Sequence, residues 1–136
     1  MRAVFLDTSG WFAALSPKES AHSAALHAYR EWIDGGTQLV TTNLVVAEMQ
    51  ILLMRFRGAV EGVRFIDSLC QDATHDIVFV DRNLERRAVD GWLRRFRDQP
   101  ISLAYAVSFE VMNERRIRTA LALDEHFELA GFQVVP

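Results

Sequence analysis

The stretch Arg2-Ala3-Val4-Phe5-Leu6-Asp7-Thr8-Ser9-Gly10 decides the fold. Residues 2–6 form a short apolar run whose length and β-branched or aromatic content read as a buried strand, and an acid follows at once. Asp7-Thr8-Ser9-Gly10 then reads as a turn into a short helix over Trp11–Leu15. A strand that hands over directly to a helix is the opening of a parallel α/β sheet, and the rest of the chain repeats the pattern. Ser16-Pro17-Lys18-Glu19 combines a capping serine, a proline at the first helical position and a capping-box glutamate, which predicts a helix running to about Ile33 and stopping before Gly35-Gly36.

Further along, Gln38–Thr41 reads as a second strand. Leu44–Phe56 reads as a helix apolar on nearly all sides, hence buried, and Gly58–Ala73 as an amphipathic helix. Asp76–Val80 is a third strand, Leu84–Arg97 a helix, and Ser102–Arg115 a further helix. Thr119–Leu123 is a fourth strand, Glu125–Ala130 a helical turn and Phe132–Val135 a last strand. Strands alternating with helices predict a three-layer α/β fold, a central parallel sheet of four to five strands flanked by helices. With 136 residues and 50% hydrophobic content, residues 1–136 are expected to form one domain.

Composition narrows the function. The lone Cys70 excludes an internal disulfide, is expected as a small buried hydrophobe, and fits a reducing, cytoplasmic location. Neither a signal peptide nor a membrane span is expected, since no apolar run approaches membrane length. A net charge of −3 argues against a non-specific nucleic-acid coater. Lys18 is the only lysine; every other basic residue is arginine, through either a codon bias or phosphate recognition by guanidinium groups.

Three acids carry the functional reading. Asp7 follows the first strand and Asp124 the fourth, where open α/β sheets bind their ligands; either could instead be a helix cap. Glu48 lies within Leu44-Val45-Val46-Ala47-Glu48-Met49-Gln50-Ile51-Leu52-Leu53-Met54, where a buried carboxylate demands a partner. An ion pair would satisfy Glu48 alone, whereas a divalent metal explains all three. Oxygen ligands of this kind select Mg²⁺ or Mn²⁺. His22, His27, His75 and His126 show no zinc-ligand spacing, and His22 and His27 read as surface residues of a helix.

These segments resemble the PIN-domain ribonucleases, and within them the VapC-type toxins of bacterial toxin–antitoxin pairs. The resemblance rests on Val4-Phe5-Leu6-Asp7-Thr8-Ser9, on Thr41-Thr42-Asn43-Leu44-Val45-Val46-Ala47-Glu48, on Ile101 to Met112, and on Ala120-Leu121-Ala122-Leu123-Asp124-Glu125-His126-Phe127 with Ala130-Gly131-Phe132. It covers essentially the whole chain. One position departs from the family pattern: Tyr105 stands where an aspartate is usual. A phenol, with a reference pKa near ~10, cannot replace a carboxylate ligand. Three readings stand: an engineered or acquired knockout, a natural variant of weakened or lost activity, or compensation by Asp98, whose alternative role is an ordinary loop or capping acid.

The resemblance implies hydrolysis of RNA phosphodiesters with Mg²⁺ or Mn²⁺ held by Asp7, Glu48 and Asp124, a second ion being weakened by Tyr105. It also implies positioning of water or phosphate by Thr8 and Ser9, whose alternative is a turn-and-cap role. RNA contacts are expected on the arginine face of Leu84–Arg97, at Arg94 and Arg95 above all, with Arg115, Arg116 and Arg118 beside them; the alternative is a solvated helix face. A homodimer and an antitoxin partner follow from the same resemblance, the antitoxin groove falling on Leu44–Phe56 and Gly58–Ala73 unless both helices are simply core. Three rivals remain: a generic α/β interaction module with accidental acids, a non-catalytic binding protein of the same fold, and a phosphotransferase or phosphatase with Asp7 as nucleophile. The last usually needs another acid two positions on, where Ser9 stands.

Overall fold

The structure is a computed structural model and describes residues 2–136. Five strands, β1 (Ala3–Leu6), β2 (Gln38–Thr42), β3 (His75–Val78), β4 (Thr119–Leu121) and β5 (Gln133–Val135), form one sheet in the order β3-β2-β1-β4-β5. Every pairing is parallel. The expected three-layer α/β architecture is therefore what the chain adopts. From β1 the chain moves outward through β2 to β3, then jumps back across β1 to β4. The order reverses beside β1, so the loops leaving the carboxyl ends of β1 and β4 diverge there and open a crevice.

Seven helices flank the sheet: α1 (Thr8–Leu15), α2 (His22–Asp34), α3 (Asn43–Arg57), α4 (Ala59–Cys70), α5 (Arg82–Ala88), α6 (Leu103–Arg115) and α7 (His126–Leu129). Parallel strands need crossovers on both faces, which is why their residues read as continuous apolar runs. Val4, Phe5, Leu6, Leu39, Val40, Ala120 and Leu121 are at most 1% exposed. Around them pack Trp11, Met49, Phe109 and Phe127. Each such side chain contributes roughly 1.5–3 kcal/mol by leaving water.

Several boundaries differ from the sequence expectation, for local reasons. The second helix starts at His22, not near Pro17. Ser16 closes α1 by donating its amide to Ala13, and two successive turns, Glu19 N to Ser16 O and His22 N to Glu19 O, carry the chain to α2, whose start has no side-chain cap. Helix α3 is not buried all round: Val45, Met49 and Leu53 face the core, while Ile51, Met54 and Phe56 are 41–66% exposed. The helix expected over Leu84–Arg97 ends as α at Ala88 and continues as a π-helical turn over Val89–Leu93, in which Arg94 N reaches back to Val89 O. Cys70 lies exposed at the end of α4, not in the core.

Four helix starts are capped by polar side chains placed just after strands or loops. Asp7, Thr42, Asp81 and Ser102 accept from Ser9 N, Val45 N, Leu84 N and Tyr105 N. One glycine is fixed by sterics. Gly10 lies against the end of β4, and a Cβ there would overlap the Leu121 carbonyl and stand 2.7 Å from Ala122 N. Gly10→Ala is therefore expected to cost at least about 1–3 kcal/mol, read as a lowered urea midpoint with an unchanged slope.

Candidate active site

The crevice at the strand-order reversal is built from β1 outward. Asp7 follows Leu6, the last residue of β1, and its amide donates to Leu121 O at 3.1 Å, which pins the turn to β4. Its carboxylate is only 5% exposed. Ser9 Oγ donates to Asp7 Oδ2 at 2.8 Å, Ser9 N lies 3.4 Å from the same atom, and Ser9 Oγ accepts in turn from Leu123 N at 2.9 Å. One hydroxyl thus joins the acid after β1 to the loop after β4.

Thr8 Oγ1 donates to Glu48 Oε1 at 2.9 Å. Glu48 is exposed, contrary to the expectation from its apolar neighbours. The helix turns Val45, Met49 and Leu53 inward, and residue 48 falls on the water-facing side beside Ala47 and Ile51. Its position therefore does not itself demand a compensating cation. What places Glu48 in the site is geometry: a cavity of about 300 Å³ is lined by Asp7, Thr8, Ser9, Glu48, Leu52, Ser102, Ala104 and Tyr105.

Asp124 stands differently. Strand β4 ends at Leu121, earlier than expected, so Asp124 follows a short bend rather than the strand itself and is not among the residues lining this cavity. Its Oδ1 accepts from His126 N at 3.1 Å, the local bond of a short turn. The phenol of Tyr105 donates to its Oδ2. The Tyr105 ring is wedged against His126, Phe127 and Phe109, with centroids 4.6, 5.8 and 6.1 Å away. Burial pushes the Tyr105 phenol above its ordinary range, as do its bond to Asp124 and the charges of Asp7, Asp124 and Glu48. Tyr105 thus shares the cavity wall with Asp7 and Glu48 and bonds Asp124 beyond it. Asp98 lies exposed in the turns after the π-helical segment and does not line the cavity.

Among the described residues, no three or more His, Cys, Asp or Glu side chains form a group placed to hold a metal ion. The expected convergence of three carboxylates is not found; Tyr105 lies among them. The chemistry nevertheless fits a hard divalent cation through fewer protein ligands. Two carboxylates share the cavity wall with the hydroxyls of Thr8, Ser9, Ser102 and Tyr105, and carboxylate and hydroxyl oxygens are ligands of the kind Mg²⁺ and Mn²⁺ prefer. Asp7 is a buried acid with no cationic partner among the described residues. Its pKa is pushed up to about 7, first by burial and then by the charge of Asp124, against the bonds from Ser9 and the Thr8 amide. A cation would relieve that cost.

Part of the arginine face is neutralised from within. Arg94 pairs with Asp90 at 2.9 Å, Arg87 with Glu114 at 2.6 Å and Arg115 with Asp76 at 2.5 Å. Arg95 instead stacks over Trp92 and Phe96, 4.5 and 4.8 Å from their ring centres. Sequence reasoning missed the Ser9–Leu123 bridge and the contribution of Leu52, Ser102 and Ala104 to the wall, because nothing local marks contacts between residues so far apart in the chain.

The raised pKa of Asp7 has a stability consequence. An unfolded aspartate ionises near 3.8 and the folded one near 7, so this group's stabilisation is complete below about pH 4 and is lost as pH rises through 7. Asp7→Asn is therefore expected to stabilise the metal-free protein at pH 8 by an amount on the order of 1–4 kcal/mol. The gain should shrink toward zero near pH 4 in urea titrations across that range.

The chain matches the PIN domain family over residues 4–133. It is 33% identical over 132 residues to the 23S rRNA-specific endonuclease VapC20 of Mycobacterium tuberculosis, with 95% of each chain covered. Its fold superposes on the crystal structure of that VapC20, described as a sarcin–ricin loop cleaving toxin, with a TM-score of 0.82 and 30% identity over 98% of this chain and 99% of the other. The FitAcB structure from Neisseria gonorrhoeae shares the fold, with a TM-score of 0.68 at 15% identity over 98% and 96% of the two chains.

Proposed function

The chain belongs to the PIN-domain family, in its VapC-type branch, and from that premise we propose that it is a divalent-metal-dependent endoribonuclease that hydrolyses RNA phosphodiester bonds. The observation that carries this reading is Asp7, a buried carboxylate without a cationic partner among the described residues, on the wall of a cavity it shares with Glu48 where the strand order reverses. Asp7 and Glu48 would hold Mg²⁺ or Mn²⁺. Such an ion supplies Lewis acidity and neutralises charge as water attacks phosphorus.

The chain's own groups do the positioning. Ser9 fixes the Asp7 carboxylate with its proton and accepts from Leu123 with its lone pair, so Asp7 cannot rotate without breaking the link to the β4 loop. Thr8 fixes Glu48 in the same manner. Tyr105, wedged in an aromatic cluster, closes the side of the cavity toward Asp124. The relative VapC20 cleaves the sarcin–ricin loop of 23S rRNA, which makes that hairpin the first RNA to test here.

A partner is part of the proposal. Ile51, Met54 and Phe56 of α3 and Val60, Val63 and Ile66 of α4 each leave an apolar side chain exposed. These two helices pack on one another, and exposed apolar side chains on such a pair suit a partner surface. An antitoxin segment would cover it, and the protein would work as a homodimer in the cytoplasm. No helix among the described residues is long and apolar enough to cross a membrane.

The Tyr105–Asp124 bond favours a second reading, a PIN-fold binding protein without catalysis. Cleavage of the labelled hairpin in Mn²⁺ separates the two. The expected result is slow cleavage that Asp7→Asn or Glu48→Gln reduces roughly 10–100-fold and that Tyr105→Asp accelerates. Binding with no cleavage by the wild type or by Tyr105→Asp would establish the second reading.

Arg95, held flat on two rings and free of acidic partners among the described residues, is the expected phosphate contact; Arg94 is already paired with Asp90. Arg95→Glu should weaken RNA binding and reduce the slope of log affinity against log salt by about 1 or more, with Arg94→Glu having the smaller effect. Binding by Arg95→Glu at low salt equal to the wild type would remove that contact.

A further inference from the structure

We infer that Tyr105 acts as a latch that withholds Asp124 from the cavity, so that the chain presents a site for one divalent cation built on Asp7 and Glu48 alone. The inference rests on the metal-site reading above and goes beyond it, because it assigns a role to the one side chain that departs from the family pattern.

The geometry is consistent around the crevice. Each of the three carboxylates accepts a hydrogen bond from a neighbouring hydroxyl: Asp7 from Ser9, Glu48 from Thr8 and Asp124 from Tyr105. The first two hydroxyls belong to the same short turn as Asp7 and leave their carboxylates on the cavity wall. The third differs. It comes from the first turn of α6, and its ring is held by His126, Phe127 and Phe109. A ring packed in this way has little freedom to swing aside. Asp124 is fixed at both ends of its carboxylate, Oδ2 by the phenol and Oδ1 by His126 N. It can turn toward the cavity only by giving up both bonds.

The chemistry agrees. An aspartate at position 105 would repel Asp124 and call for a cation between them. A neutral phenol does the reverse: it donates to Asp124 and removes the need for a cation there. The substitution therefore changes the count of available ligands by two, one acid lost at 105 and a second tied up at 124. A single ion completed by water on Asp7 and Glu48 is the arrangement left.

Titration of the full-length protein with Mn²⁺ by calorimetry, with thermal melts as a folding control, tests this through a cycle of variants. The wild type should bind one Mn²⁺, and Asp124→Asn should lower its affinity only by the loss of a nearby charge, far less than Asp7→Asn does. Tyr105→Phe keeps the ring and removes only the donor, and it should raise affinity roughly 3–10-fold; Asp124→Asn in that background should cancel the gain. Tyr105→Asp should raise affinity further or admit a second equivalent. An Asp124→Asn loss in the wild type as large as that of Asp7→Asn would overturn the latch while leaving the metal site standing. A Tyr105→Phe protein that folds and binds Mn²⁺ as the wild type does would overturn it equally. If neither the wild type nor Tyr105→Asp binds Mn²⁺, the latch and the metal-site reading fall together.

Discussion

The contact on which the site depends is the approach of the α1 backbone to the end of β4. Gly10 packs against the Leu121 carbonyl, Asp7 N donates to the same carbonyl, and Ser9 Oγ receives Leu123 N. Asp7, Ser9 and Gly10 are thus fastened to the end of β4 and the residues just after it. Because β1 and β4 lie where the order of the parallel sheet reverses, this fastening occurs at the mouth of a crevice. It holds an acid in a place that the packing alone would leave to an apolar residue.

Holding Asp7 there carries an electrostatic cost. Desolvation and a second carboxylate nearby both oppose ionisation, and the hydrogen bonds from Ser9 and the Thr8 amide only partly offset them. A fold that keeps such a group stores a preference for positive charge at a defined point. The structure meets the same problem at Asp124 by a different route. There Tyr105 donates to one carboxylate oxygen, and His126 meets the other with its amide and with Nδ1 at 3.3 Å. Two solutions to the burial of negative charge therefore stand side by side, and the first leaves a vacancy for a ligand while the second removes one.

Much of this was legible in the chain. Apolar runs ending in an acid, as at Val4-Phe5-Leu6-Asp7, reveal parallel strands because both faces of the sheet are covered. What failed did so for identifiable reasons. The capping-box pattern at Ser16–Glu19 was outweighed by turns that follow directly from the end of α1. The burial of Glu48 was overestimated because a helix can be rich in apolar residues and still leave half of them to an exposed face. The freedom of the arginine face was overestimated because Glu114 and Asp76, which neutralise Arg87 and Arg115, lie 27 and 39 positions away. Tyr105 and Asp124 are 19 positions apart, and no local pattern shows that their side chains meet.

The bond between Tyr105 and Asp124 also has a genetic side. Codons for tyrosine and aspartate differ only in their first base, so a single nucleotide change at position 105 interconverts the latched pocket and one with a fourth carboxylate. The surrounding aromatic packing against Phe109, Phe127 and His126 would lose a ring in that exchange, which opposes it structurally. The two forms of the pocket, one holding Asp124 on a phenol and one offering four carboxylates, therefore stand one mutational step apart.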